Sequence, residues 1–107
     1  MTDTSTNSSS DELLGKQSAL RLMESITAIE GVKEMSRGRF GENYLLFAGE
    51  RVPGFYIPRG ENTVDVHVVI DLSVTPSIPH LAQEIQSLVA EELGGGVTCN
   101  VYVDDAQ

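Results

Sequence analysis

Three residues on one predicted strand are of types that could do chemistry. Asp65, His67 and Asp71 occupy odd positions in residues 64–74, while every even position there is apolar: Val64, Val66, Val68, Ile70, Leu72 and Val74. A side-chain period of two places the two sets on opposite sheet faces, with Val69, at an odd position, expected as an apolar spot on the polar, open face. Successive residues on one face lie about 7 Å apart, so Asp65 and His67 could share an ion or a proton carrier. A metal would need a third or fourth ligand, and the sequence offers only His80, in the first turn of the next predicted helix and over the strand's end. The reading adopted is a solvated polar sheet face, with no metal and no cofactor expected.

Other reactive types have structural explanations. Glu84, Glu91 and Glu92 fall on the polar side of a helical stripe, where nothing buries or pairs them enough to shift a pKa. Ser73 or Ser77 with a histidine would make a nucleophile pair, but no nucleophile elbow surrounds them and a capping role accounts for Ser77. Gly94-Gly95-Gly96 follows a helix instead of preceding one, so it does not cradle phosphate. Cys99, the single cysteine, sits on the inward face of a predicted strand and reads as a small buried hydrophobe. No catalytic residue is assigned, and no enzyme is expected.

The nearest thing to a binding patch is the middle of the chain. Arg37, Arg39, Arg51 and Arg59 interleave there with Phe40, Tyr44, Phe55 and Tyr56. Single-strand nucleic-acid binders combine these types. The net charge of −9 argues against that reading, because phosphate binding rewards excess Lys and Arg. A protein contact through the same arginines and aromatics is preferred. The candidate interaction residues are therefore Arg37, Arg39, Arg51, Phe55, Tyr56, Arg59, Asp65, His67, Asp71 and Tyr102.

The charge is unevenly spread. Residues 31–60 carry Lys33, Arg37, Arg39, Arg51 and Arg59 against Glu34, Glu42 and Glu50, a sum of +2, whereas residues 61–107 carry eight acids and no Lys or Arg, a sum of −8. A basic middle and an acidic end suggest a contact within the molecule or between copies. Between copies it would join two different patches and so close into a ring or run on as a filament.

The elements that must position these residues follow from the same periodicities. Residues 1–12 are polar around a few charges and are expected to form a flexible tail, leaving residues 13–107 as a single domain. Ala19, Leu22, Met23, Ile26 and Ile29 give a first helix one apolar face, and Gly31 offers a stop. Residues 32–37 are a short strand candidate. Residues 44–58, broken by Gly49, Pro53, Gly54 and Pro58, read as a hairpin or edge structure with too many breakers to be core. Ile78, Leu81, Ala82, Ile85, Leu88 and Val89 form the stripe of a second helix, capped by Ser77 in preference to Thr75 and opened by Pro79. Val97, Cys99, Val101 and Val103 then alternate with Thr98, Asn100, Tyr102 and Asp104 in a closing strand. A strand-helix-strand crossover makes the two long strands parallel. The fold expected is a two-layer α+β sandwich of order α-β-β-α-β, with both helices on one face of a small mixed sheet.

Two strings carry a family resemblance. AIEGVKEMS (residues 28–36) joins a helix end to a Gly-Val step, and VDVHVVIDLSVTPSIPHLAQEIQSLVAEELGGGVTCNVYVDD (residues 64–105) runs from a Val-rich strand through an Ile-Pro helix opening to a closing Val-rich strand. In these the chain resembles the bacterial alkaline shock protein family. The middle, residues 38–62, follows its own pattern, with RVPGFYIPR at residues 51–59. The resemblance implies a non-catalytic, self-associating protein of the cytoplasm, linked to envelope stress and in some members held near the membrane by a separately anchored partner. The start of the chain lacks the basic and apolar regions of a signal peptide, and no apolar run approaches the ~20 residues of a bilayer-spanning helix. A homo-oligomer is expected, without nucleic acid and without direct insertion in a membrane.

Overall fold

The computed structural model describes residues 14–58, 62–74 and 77–107. The expected tail at residues 1–12, the candidate Arg59 and the competing cap Thr75 lie outside the described residues. Among the described residues the order is α1 (Lys16–Thr27), β1 (Val32–Met35), β2 (Tyr44–Phe47), β3 (Glu50–Pro53), β4 (Phe55–Tyr56), β5 (Thr63–Ile70), α2 (Ile78–Leu93) and β6 (Thr98–Ala106). The expected α+β class holds, and the middle segment adds three short strands to the anticipated order.

β5 is the centre of the sheet. Its even residues Val64, Val66, Val68 and Ile70 are fully buried, because alternation turns all four toward the helices. β6 runs parallel along one side, with Val66 opposite Val101 and His67 opposite Tyr102. Along the other side lie β4 and β1, both antiparallel and placed end to end: Phe55 faces Val66, and Met35 faces Val68. They meet at His67, whose N–H donates to the Gly54 carbonyl at 2.7 Å and whose carbonyl accepts from Ser36 N–H at 2.8 Å. β2 and β3 form a separate hairpin with Leu45 opposite Val52, and these two join the main core.

The second layer is made by the helices. α1 buries Ala19, Leu22 and Ile26, and α2 buries Leu81, Ile85 and Val89, at the spacing that one helical stripe requires. The Ser77 hydroxyl accepts from the His80 N–H at 3.3 Å, satisfying an amide that the helix leaves open, and Pro79 sits in the first turn where it forfeits no bond. Gly94 ends α2 at φ +95°. α1 begins at Gly15 without a side-chain cap. Arg21 pairs with Glu92 at 2.6 Å between the helices, an exposed contact of small consequence for stability. No helix among the described residues is long and apolar enough to cross a membrane.

Three expectations need correction. The apolar alternation suggested a strand to Val74, but β5 ends at Ile70 and Leu72 is 57% exposed. Asp71 stops the strand: its Oδ1 accepts from both the N–H of Ser73 at 2.9 Å and the Ser73 hydroxyl at 2.6 Å, a local turn that competes with the ladder. Phe55, expected as exposed interface area, is fully buried, because β4 inserts it beside Val66. The breakers around it bound a two-residue strand and do not expel it. Val69, expected as an apolar spot on the open face, is 6% exposed; its neighbours across the strands on that face are Glu34 and Asp105.

Candidate functional site

The sheet face opposite the helices gathers the polar side chains. On β5 the odd positions Thr63, Asp65 and His67 are half-buried there. Tyr56 lies beside Asp65 on one side, and Asn100 and Tyr102 lie opposite Asp65 and His67 on the other. Tyr56 is 49% and Tyr102 44% exposed, a large apolar area for a polar face.

At the middle of this face Asp104 holds a small network together. A register shift in β6 between the partners of Val68 and Val69 leaves Asp104 as an extra residue, and the bulge aims its side chain across β5. His67 Nδ1 lies 3.1 Å from Asp104 Oδ2. An ionised carboxylate only accepts, so Nδ1 carries the proton and donates. The Ser36 hydroxyl donates to the same oxygen at 2.8 Å, and Asn43 Nδ2 approaches it at 3.5 Å. The His67 ring also stacks on Tyr102, with ring centroids 4.7 Å apart and planes 16° from parallel.

Serine, histidine and aspartate together suggest nucleophilic catalysis, but the order of contacts is wrong for it. In a hydrolytic triad the histidine stands between serine and aspartate and takes the serine proton. Here the aspartate stands between, and Ser36 gives its hydrogen to a carboxylate while accepting from Gly38 N–H at 3.2 Å. The network instead ties β1, the loop before β2, β5 and β6 to one another. Its contacts to Asp104 span thirty-seven residues of sequence for His67, sixty-one for Asn43 and sixty-eight for Ser36.

The expectation that His67 sits on a freely solvated face is therefore modified. Its side chain is 16% exposed and Asp104's 29%. His67→Ala removes one charge-assisted hydrogen bond and a ring stack, and is expected to cost about 1–2 kcal/mol in urea denaturation. A loss within about 0.5 kcal/mol, as at an ordinary surface position, would show that the pair contributes nothing.

The other candidates scatter. Asp65 accepts from Asn100 Nδ2 at 3.1 Å while His67 turns to Asp104, so the two are engaged by different partners. Asp71 lies beyond the end of β5, and its bonds from Ser73 hold its carboxyl below the ordinary range. Arg37 and Arg39 are exposed and line an open cleft of about 980 Å³ together with Lys33, Glu34, Asp104 and Asp105. Basic middle and acidic end thus already meet within one copy. Arg51 lies elsewhere, its guanidinium 4.7 Å above the ring of Tyr44. Cys99 packs against the core, where burial, and to a lesser degree the charge of Asp65, push its thiol up to about 11, leaving it neutral and unreactive near pH 7.

No protein-family model, curated protein or solved structure matches this chain.

The reading of the site therefore rests on its own geometry. Ser36 and Asn43 escape sequence reasoning because nothing local marks them: the pairing of β1 and β6 with β5 brings Ser36 to Asp104, and backbone bonds of Asn43 with Arg37 and Gly54 bring Asn43 there. Asp104 does carry a signal. It is the position at which the alternation of residues 97–103 gives way to two consecutive acids.

Proposed function

We propose that this protein is a non-enzymatic interaction or scaffold module that self-associates and acts close to the cell envelope, as its resemblance to the alkaline shock protein family implies. The observation that carries the reading is the open sheet face, where two half-exposed tyrosines, Tyr56 and Tyr102, flank a network that fixes side chains without offering an attacking group. Tyrosines held on a rigid surface supply contact area at low entropic cost, and they concentrate at protein interfaces. Arg37 and Arg39, exposed at the rim of the same face, fit the polar border of such a contact. A membrane-anchored partner protein would account for an envelope location.

The test is molar mass by light scattering across a range of concentrations. A mass rising above the 11.6 kDa of one chain is expected. A monomer at every concentration would overturn the reading. Binding of single-stranded RNA at moderate salt would replace it with a nucleic-acid function of the Arg37, Arg39 and Phe40 loop, the last of these being the most exposed large apolar residue described.

A further inference from the structure

β6 pairs with β5 on one side, and among the described residues no strand pairs with it on the other. Its exposed edge contains neither Lys nor Pro, the residues that commonly blunt an open edge. Backbone direction shows which residues make that edge. The N–H of Thr98 donates to the Asn62 carbonyl at 2.9 Å, and Tyr102 lies opposite His67. Thr98, Asn100 and Tyr102 therefore turn their amide groups to β5, and alternation sends those of Cys99, Val101 and Val103 outward.

Both ends of this outward row are capped by the chain itself. Gln86 of α2 donates its Nε2 to the Cys99 carbonyl at 3.0 Å, and Asp105 Oδ1 accepts from the N–H of Ala106 at 2.8 Å. Between the caps, Val101 and Val103 each direct an N–H and a C=O to the uncovered side.

We propose that this edge is where two copies of the chain join, β6 to β6 and antiparallel, about a two-fold axis at Tyr102. The proposal rests on the self-association argued above and names its contact. In this register Val101 of one copy faces Val103 of the other, and each such pair exchanges both backbone bonds. The two Tyr102 residues face each other as a non-hydrogen-bonded pair, the closer kind, and extend the stack already formed with His67. Asn100 faces Asp104 of the second copy. The Asp104 carboxylate is turned inward to His67 and Ser36, and Asn100 is held by Asp65, so neither side chain obstructs the pairing.

The edge fits itself: valine meets valine and tyrosine meets tyrosine, with no acid opposite an acid. An axis at Val101 would pull Gln86 from the Cys99 carbonyl, and an axis at Val103 would use one of the two outward valines alone. Each copy carries −9, so the copies repel at long range and added salt strengthens the pairing. A contact of basic middle with acidic end would respond to salt in the opposite direction.

The test combines light scattering with residue-resolved amide exchange on the full chain. Val101→Pro removes an outward N–H and leaves the bonds to β5 intact, a position where an edge strand tolerates proline. The wild type is expected to dimerise more tightly at high salt, and its Val101 and Val103 amides to exchange at least about tenfold more slowly at millimolar than at micromolar concentration. The amides of Thr98 and Asn100 should be indifferent to concentration. Val101→Pro should be a monomer with the wild-type circular dichroism; if it does not fold, the wild-type exchange pattern decides. An assembled wild type whose Val101 and Val103 amides gain no protection overturns edge pairing and leaves self-association standing. A monomeric wild type under all conditions overturns both.

Discussion

Val68→Asp will leave the domain unfolded, or nearly so, at neutral pH and room temperature. Val68 is fully buried at the middle of the central strand, opposite Met35 on one side and Val103 on the other. The substitution removes about 1.5–3 kcal/mol of apolar burial and adds the several kcal/mol of a carboxyl group with no partner in an apolar layer. A domain of this size has only about 5–15 kcal/mol in total. The penalty is a charge penalty, so it has a pH signature. Burial raises the pKa of the new carboxyl in the folded state, and the protonated form is the one the core tolerates. The stability gap to wild type should therefore shrink as pH falls toward about 4, the pKa of an aspartate in the unfolded chain, and be fully open above the raised value. Urea denaturation at several pH values measures it. Thr98→Asp, exposed on the neighbouring strand, is the control and should stay within about 0.5 kcal/mol. A Val68→Asp protein as stable as the control would mean that β5 is not the core strand.

The features that this prediction depends on are the ones most legible in the sequence. β5, α2 and β6 announce themselves because their signals are local: four consecutive even-numbered apolar residues, a helical stripe behind a Ser-x-Pro opening, and a second alternation after three glycines. The order strand, helix, strand then fixes the parallel pairing without further information. Where an apolar residue continued the pattern by coincidence, as at Leu72 and Val74, periodicity overran the strand. The competing signal was the Asp71-x-Ser73 turn, whose bonds are visible only once the chain is built.

The candidate site was far less legible, for a physical reason. Its meaning lies in contacts between residues distant in sequence. The sequence marked His67 and Tyr102 as polar-face residues of two strands, but not that the register sets one ring upon the other. Nor did it show that a one-residue bulge turns Asp104 back across β5 to Ser36. The basic and aromatic middle looked like one patch because its residues are neighbours along the chain. The fold distributes them: Phe55 enters the core, Tyr56 joins the open face, Arg51 lies over Tyr44, and Arg37 with Arg39 borders the acidic end of β6. Alternation along a strand separates sequence neighbours, which is why composition over a short window misjudges a segment made of two- to four-residue strands.

Gly54 is the second position where a small change should have a large effect, and Gly54→Ala is expected to cost about 2–5 kcal/mol. Gly54 stands where β3 turns into β4, at φ +92°, a left-handed conformation that costs a residue with a side chain about 1–2 kcal/mol. Space is also lacking. A Cβ there would lie 2.5 Å from Met35 Cε, 2.7 Å from Met35 Cβ and 3.1 Å from the His67 carbonyl oxygen. The Met35 methyl can swing aside, but Met35 Cβ is fixed to the backbone of β1 and the His67 oxygen belongs to β5. Something in the sheet must therefore move, which typically adds about 1–3 kcal/mol. The movement would fall at the junction where Gly54 accepts from His67 N–H and Ser36 donates to the His67 carbonyl, so the Asp104 network should loosen with it. Gly49 supplies the comparison: it turns the β2–β3 hairpin at φ +77° with nothing within 4 Å of its missing side chain. Gly49→Ala should show the conformational part alone, about 1–2 kcal/mol. The difference between the two urea midpoints then reports the close approach of three strands at Gly54. Equal losses would show that β1 yields to the methyl group, and that the junction at His67 is softer than its hydrogen bonds suggest.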